Sequence, residues 1–263
     1  MSGAPGGPER APLYFAAAGD IHGDHEQLVA RLHEVMEGLA EPLAFVLQVG
    51  DFEPVRDEAD LAFMTGPDHR RQLGSFHRVL SGELRYPAEV LFIGGNHEPY
   101  GWLEQFPEGA ELVPGIYYLG RAGAVERAGL RIAGLTGIHS PKRYELPIPD
   151  DWRRFKTKLK EPTYFRRPDV ERLLRTGPVD ILLTHDWPAG HFGPFGNPQS
   201  RLLLDTLQPR LHLTGHMHRP TRKRVDHASG RETQVLALNH VGAGRDDVVL
   251  FKWDGKVLEE VDG

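Results

Sequence analysis

The sequence contains no cysteine. Disulfides and thiolate metal ligands are therefore excluded, and any bound metal must be held by oxygen and nitrogen donors. Long hydrophobic runs are also lacking: none approaches the roughly 20 residues needed to span a bilayer. The start, Met1 to Pro12, is rich in Gly, Pro and Ala and has no apolar core of the kind a secretory signal needs. The chain is accordingly expected to be cytoplasmic, with no membrane partner. An excess of positive charge is absent too. The formal net charge is −6, so bulk charge does not point to a nucleic-acid binder. The cations are unevenly placed, however. Arg153, Arg154, Lys156, Lys158 and Lys160 lie within eight residues that contain no acid, which makes that segment either a solvated face or a surface that tracks phosphates.

What is present is a series of apolar runs, each ending in a polar cluster. Val46 to Val49 delivers Gly50-Asp51, Leu13 to Ala18 delivers Gly19-Asp20-Ile21-His22-Gly23, and Val90 to Ile93 delivers Gly94-Gly95-Asn96-His97-Glu98. Further on, Ile181 to Leu183 leads to Thr184-His185-Asp186, and Leu211 to Thr214 leads to Gly215-His216-Met217-His218. An apolar run closed by Gly reads as an inner strand covered on both faces, and ligand sites in such sheets lie beyond the carboxyl ends of the strands. Five such ends make sense only if the strands converge. Residues 13–263 are therefore expected to form one domain, after a mobile tail at 1–12.

Between these strands, Leu28, Val29, Leu32, Val35, Met36 and Leu39 recur at helical spacing and predict an amphipathic helix. Strand, helix and strand then form a right-handed crossover. The stretch Arg56 to Leu80 reads as largely helical, and Pro99 to Phe106, Pro168 to Arg175 and Pro198 to Leu207 as further helices. Ile116 to Leu119, Ala124 to Arg127 and Leu130 to Leu135 read as short strands with glycine turns. From His139 to Arg167 the pattern dissolves into prolines, basic residues and aromatics (Tyr144, Trp152, Phe155, Tyr164, Phe165). Long irregular stretches in compact domains are usually functional or disordered, and this one is expected to be a lid. Thr221 to Val225, Gln234 to Leu238, Val248 to Trp253 and Val257 to Val261 alternate like antiparallel strands and are expected to finish a second sheet. The whole predicts a two-sheet α/β sandwich.

The chemistry lies in seven donors at these strand ends: Asp20, His22, Asp51, Asn96, His185, His216 and His218. None is soft, and together they suit a pair of divalent transition metals. A carboxylate such as Asp51 has two acceptor oxygens and can bridge two cations. Cations roughly 3.5 to 4 Å apart can activate a bridging hydroxide for in-line attack on phosphorus. Asp51 and His97 are then the expected catalytic residues. His97, next to Asn96, is placed to protonate the leaving oxygen; its other possible role is to orient Asn96 through a hydrogen bond. The expected cofactors are two divalent ions, Mn²⁺ or else Fe²⁺, Zn²⁺ or Ni²⁺. His25, His33, His69, His77, His212 and His227 are assigned to structure or solvent, while His139, His191 and His240 have no assignment.

The order GDIHG, GDFE, GNHE, THD, GHMH resembles the calcineurin-like metallophosphoesterases. The resemblance implies a β-sandwich of two mixed sheets flanked by α-helices. It also implies a pairing: Asp20, His22, Asp51 and His218 on one metal, and Asp51, Asn96, His185 and His216 on the other. A narrower resemblance, to the RNA lariat debranching enzymes, runs from the first strand to about His218. It rests on Gly50-Asp51-Phe52-Glu53, Val55 to Leu61, Phe92 to Glu98, Ile116-Tyr117-Tyr118-Leu119-Gly120 and His185-Asp186-Trp187-Pro188. In that family the insertion matching His139 to Arg167 contacts branched RNA. Hydrolysis of an RNA or nucleotide phosphodiester, including a 2′-5′ linkage, is thus implied, and Arg143, Tyr144, Trp152, Arg154, Trp187, His191 and Phe192 are the candidate substrate contacts. Aromatic rings can stack on unpaired bases while Arg and Lys meet phosphates.

Two features separate this chain from its likenesses. The debranching enzymes usually have Cys where this chain has Asp20, which implies a fully occupied first metal position with its own metal preference. The serine/threonine phosphatases follow their second block with Asp-Arg-Gly, where this chain has Glu53-Pro54-Val55-Arg56, which counts against a protein phosphatase. A phosphomonoesterase and a catalytically silent scaffold are the alternatives.

Overall fold

The computed structural model describes residues 12–65 and 71–261. The tail expected at 1–12 thus lies, but for its last residue, outside the described residues. Apolar runs form the centre of two mixed sheets. The first is seven-stranded, built from β1 (Leu13–Ala18), β2 (Leu43–Gln48), β3 (Glu89–Phe92), β4 (Ala110–Val113), β5 (Ile116–Tyr118), β12 (Val248–Trp253) and β13 (Leu258–Val261), in the order β13-β12-β1-β2-β3-β5-β4. The second is six-stranded, built from β6 (Ala122–Arg127), β7 (Leu130–Leu135), β8 (Ile181–Thr184), β9 (Leu211–Thr214), β10 (Thr221–Asp226) and β11 (Glu232–Ala237), in the order β10-β11-β9-β8-β7-β6.

Alternate residues of each central strand face opposite ways. Phe15, Ala17, Phe45, Leu47, Leu91 and Ile93 of the first sheet meet Ile132, Ile181, Leu183, Leu211 and Leu213 of the second in one apolar layer. The other face of the first sheet, with Ala16, Val46, Val90 and Phe92, packs on Leu28 and Leu32 of α1 (His25–Met36). The outer face of the second, with Ala133, Leu135 and Leu182, packs on Val170 and Leu173 of α5 (Arg167–Leu174) and Leu203 and Leu207 of α6 (Pro198–Leu207). Burial on both faces is why these strands read as continuous apolar runs. Each fully buried Leu, Ile or Phe contributes about 1.5–3 kcal/mol relative to exposure.

Register then positions the site. The parallel strands β1, β2 and β3 pair Ala18 with Gln48 and Gln48 with Phe92. In the second sheet β8, β9 and β11 pair Thr184 with Thr214 and Thr214 with Ala237. Parallel strands ending in line release their following loops side by side.

Two expectations need correction. The four C-terminal strands divide between the sheets: β10 and β11 extend the second, but β12 runs antiparallel to β1, with β13 beside it, in the first. Alternation identifies a strand without saying which sheet will hydrogen-bond it. The stretch 56–80 holds only two short helices among the described residues, α2 (Glu58–Leu61) and α3 (Phe76–Leu80). Apolar residues at helical spacing are outweighed there by Gly74, a breaker held at positive φ just before α3. The irregular stretch 139–167 contains three single-turn 3-10 helices, Trp152–Arg154, Lys156–Lys158 and Glu161–Thr163. Buried Arg121 holds its far end, donating to the carbonyls of Pro162 and Tyr164 and pairing with Glu104. The remaining short helix is α4 (Tyr100–Leu103). Among the described residues no helix is long and apolar enough to cross a membrane.

Candidate metal centre

The strand-end loops are tied to one another by buried polar groups. The Gln48 amide donates to the carbonyls of Gly19 and Gly50 at 3.1 and 2.7 Å and accepts from Gly50 N–H at 2.9 Å. Glu98 accepts from the backbone N–H groups of Phe52, Glu53 and Gly95 at 2.9–3.0 Å. The Asp51 carbonyl accepts from Ile21 and His22 N–H at 3.2 and 2.9 Å. Across the sheets, the Asp20 carboxylate accepts from His216 N–H, and the Trp187 indole donates to Gly215 O at 2.8 Å. Such bonding lets the backbone hold unfavourable angles. His22, Asp51, Glu53, His216 and His218 all have positive φ, between 46° and 69°, and account for five of the eight described non-glycine residues that do. Each costs about 1–3 kcal/mol, and strain concentrated in one set of loops points to function there.

Seven donors converge on this edge. Asp20, His22 and His218 form one cluster and Asp51, His185 and His216 another, with ligand atoms within 4.8 Å of one another in each. His218 Nε2 lies 2.9 Å from Asp20 Oδ2 and 3.4 Å from His22 Nε2. His185 donates its Nδ1–H to Val49 O at 2.9 Å, which leaves Nε2 pointing at Asp51 Oδ2 (3.4 Å) and Asn96 Oδ1 (3.2 Å). Asp51 Oδ2 also lies 3.9 Å from His22 Nδ1, so one carboxylate faces both clusters. Its Oδ1 accepts from His97 N–H at 2.8 Å.

Glycines make the room. A Cβ at Gly95 would stand 2.1 Å from Asp51 Oδ1, one at Gly215 2.3 Å from Asp20 Oδ1, and one at Gly50 2.5 Å from His185 Nδ1. An all-oxygen-and-nitrogen donor set in such a cradle fits a pair of divalent cations.

The electrostatics agree with a cation site. Burial would raise Asp51, but the imidazoles of His185, His22 and His97 outweigh it and hold the carboxyl well below the usual carboxylate range. Burial would likewise lower His185; the carboxylates of Asp51 and Asp20 overcome it and raise the imidazole to about 10. Without a cation these two form an ion pair, and positive charge is what the carboxylates are arranged to receive. Burial first, then the charges of Asp51 and Asp20, push the Glu53 carboxyl well above its ordinary value.

With this geometry in view, the sequence matches the calcineurin-like phosphoesterase family over residues 13–220. The chain belongs to that family. It is 31% identical to the lariat debranching enzyme of Caenorhabditis briggsae over 88% of this chain, and 32% identical to that of Mus musculus over 89%. The chain spans about half the length of these relatives, 52% and 48% respectively. Among solved structures, TT1561 of Thermus thermophilus superimposes with a TM-score of 0.55 at 16% identity, covering 96% of this chain and 99% of that one, a likeness of fold. The phosphoesterase family uses this two-sheet sandwich, and its members are metal-dependent hydrolases, in keeping with both clusters.

The expected substrate contacts are not all brought to the surface. Trp152 is 3% exposed, with the Phe63 ring edge-on to it and the Arg153 guanidinium over its face. Trp187, also 3% exposed, is spent on Gly215 and packs on buried Phe192. A base needs an open ring face, so these three are corrected to structural roles. Composition marked them as aromatic; only packing reveals that they are covered. Arg143 and Arg154 are exposed, the former paired with Glu161, while Tyr144 and His191 are partly buried. Two residues beside the centre went unassigned in the sequence. Glu53 Oε1 lies 2.9 Å from His22 Nδ1, and the His240 ring lies 5.5 Å from that of His22 and 5.4 Å from that of His218. The GDFE block could have flagged Glu53; no local pattern flags His240.

Proposed function

We propose that this chain is a two-cation phosphodiesterase of nucleic acids or nucleotides, with RNA branched at a 2′-5′ linkage as its substrate class. The observation that carries this reading is the meeting of the two donor clusters at Asp51, whose remaining oxygen is held by His97 N–H. The likeness to lariat debranching enzymes over most of the chain supports the substrate class.

Asp20, His22, Asp51 and His218 would hold one divalent cation and Asp51, Asn96, His185 and His216 the other, Mn²⁺ by preference and otherwise Fe²⁺, Zn²⁺ or Ni²⁺; when bound, they supply the Lewis acidity that activates water and polarises the phosphoryl group. Asn96 contributes a neutral oxygen, which keeps the net charge favourable for an anionic diester. His97 is anchored at two points, its backbone N–H on Asp51 and its Nδ1 on Thr65 O at 3.2 Å. This leaves Nε2 as the atom that delivers a proton to the leaving oxygen, an effect worth about 10² to 10⁴ in rate. Arg143, Tyr144 and Arg154 lie on the segment 139–167, which in this proposal is the lid over the RNA of a single domain, 13–263, working in the cytoplasm.

Hydrolysis of bis-p-nitrophenyl phosphate and p-nitrophenyl phosphate with added Mn²⁺, followed by 2′-5′ and 3′-5′ linked dinucleotides, tests this. Turnover of the diester above the monoester, and of the 2′-5′ linkage, is expected. Preference for the monoester would make the chain a phosphomonoesterase, and no turnover at all a silent metal-binding scaffold; either result refutes the proposal.

A further inference from the structure

The loop that follows β11 brings a further imidazole to the centre. β11 pairs in parallel with β9, setting Ala237 level with Thr214. Residues 239–242 therefore emerge at the same edge as His216 and His218. The loop is pressed against the first strand end: a Cβ at Gly19 would meet Asn239 O at 1.8 Å, and Val241 N–H donates to Asp20 O at 2.9 Å. It is also held on its own side. His240 N–H donates to Asn239 Oδ1 at 3.0 Å, Gly242 N–H to Asp247 Oδ2 at 2.9 Å, and Asp247 is gripped by Arg31. The backbone after His240 is thus fixed by bonds to the loop that carries Asp20 and to a buried carboxylate, and before it Asn239 N–H donates to Asp246 O at 2.8 Å.

The side chain is used differently. The His240 ring stacks on that of His22 at 5.5 Å with 21° between planes, and meets that of His218 edge-on at 5.4 Å. His97 approaches the same His22 ring edge-on at 5.5 Å. Among the described residues no side chain hydrogen-bonds the His240 imidazole, and the residue is partly exposed. An imidazole carries an N–H donor in either tautomer. A rigidly mounted ring with no side-chain partner, with only the Val241 backbone beside one nitrogen and two candidate ligands against its faces, has its other nitrogen left for whatever the centre binds.

We propose that His240 is a substrate-contacting residue of this centre, donating a hydrogen bond to a phosphoryl oxygen of the bound phosphate ester on the His22 and His218 side. It deepens the phosphodiesterase reading and rests on it for the nature of the ester. The phosphate group itself is the chemistry recognised, so inorganic phosphate serves as the probe.

The test uses full-length H240A and H240Q loaded with Mn²⁺ and compared with the wild type in three measurements. These are metal content by elemental analysis, the Kd for inorganic phosphate by calorimetry, and KM and kcat on bis-p-nitrophenyl phosphate. H240A is expected to keep the wild-type metal content while its phosphate Kd and its KM rise about tenfold, the loss of one hydrogen bond to a charged group. H240Q retains an N–H donor and is expected to recover much of the phosphate affinity. Unchanged phosphate Kd in H240A overturns the proposal. So does loss of a cation from H240A, which would make His240 a metal ligand. If the wild type binds phosphate but turns over neither ester, the phosphodiesterase reading fails, and the phosphate titration still decides His240.

Discussion

Gly95→Ala adds one methyl group at the place where the two clusters meet. The added Cβ would stand 2.1 Å from Asp51 Oδ1, 2.5 Å from Asp51 N and 2.7 Å from His185 Nε2. Real Cβ atoms essentially never come within 3.0 Å of such atoms, so the carboxylate must retreat by about 0.9 Å. Metal–ligand distances tolerate only about ±0.2 Å, and a displacement of about 1 Å at a reacting centre costs about 10² in rate. Retreat is not easy, because Asp51 Oδ1 is held by His97 N–H and Gly95 N–H by Glu98. Gly95 does not need a positive φ, so alanine brings no intrinsic backbone penalty and the effect is steric. The expected result is loss of bound Mn²⁺ by elemental analysis, turnover of bis-p-nitrophenyl phosphate down by about two orders of magnitude, and a folded protein by circular dichroism. Gly115→Ala is the control: nothing lies within 4 Å of its Cβ, but its φ is +82°, so it should lose about 1–2 kcal/mol of stability with metal content and turnover intact. Wild-type metal content and turnover in Gly95→Ala would refute the assignment of Asp51 as the shared ligand.

His97→Ala should slow hydrolysis of a diester with an alkoxide leaving group by about 10² or more, yet hardly affect one that releases nitrophenolate; equal losses on both would remove the proton-donor role. Because the Asp51 and Asp20 carboxylates hold His185 at about 10, overcoming the effect of burial, a cation must displace its proton at neutral pH. Mn²⁺ affinity should therefore rise about tenfold per pH unit from pH 6 to 8, with proton release visible by calorimetry in two buffers, and a flat profile would contradict this. Burial lowers His25 and His212 to about 3. Their folded pKa values lie below the unfolded value of about 6.5, so the stability they contribute is complete above about pH 6.5 and is lost as pH falls toward 3. Each should cost about 2 kcal/mol at pH 5, and urea unfolding of metal-stripped wild type, His25→Gln and His212→Gln at pH 7.5 and 5 should show it as a smaller loss between the two pH values in each variant; the same loss in variant and wild type would argue that the ring replaced is not buried neutral.

The sequence by itself determined where strands end and what chemistry stands there. Asp20, Asp51, Asn96, His185, His216 and His218 each follow an apolar run closed by Gly or Thr, and both period and termination are local properties of a chain. It did not determine the partition of the C-terminal strands. Alternation is the same for β11, which joins β9, and β12, which joins β1, because a strand's neighbour is chosen by non-local pairing. It did not reveal that Trp152, Trp187 and Phe192 are covered, since a ring's exposure depends on what packs over it. Nor did it show Glu53 beside His22, or His240 beside both His22 and His218. His240 reaches them from a separate loop only by way of the β9–β11 register, and a contact set by register exists only once two sheets have closed around a common core.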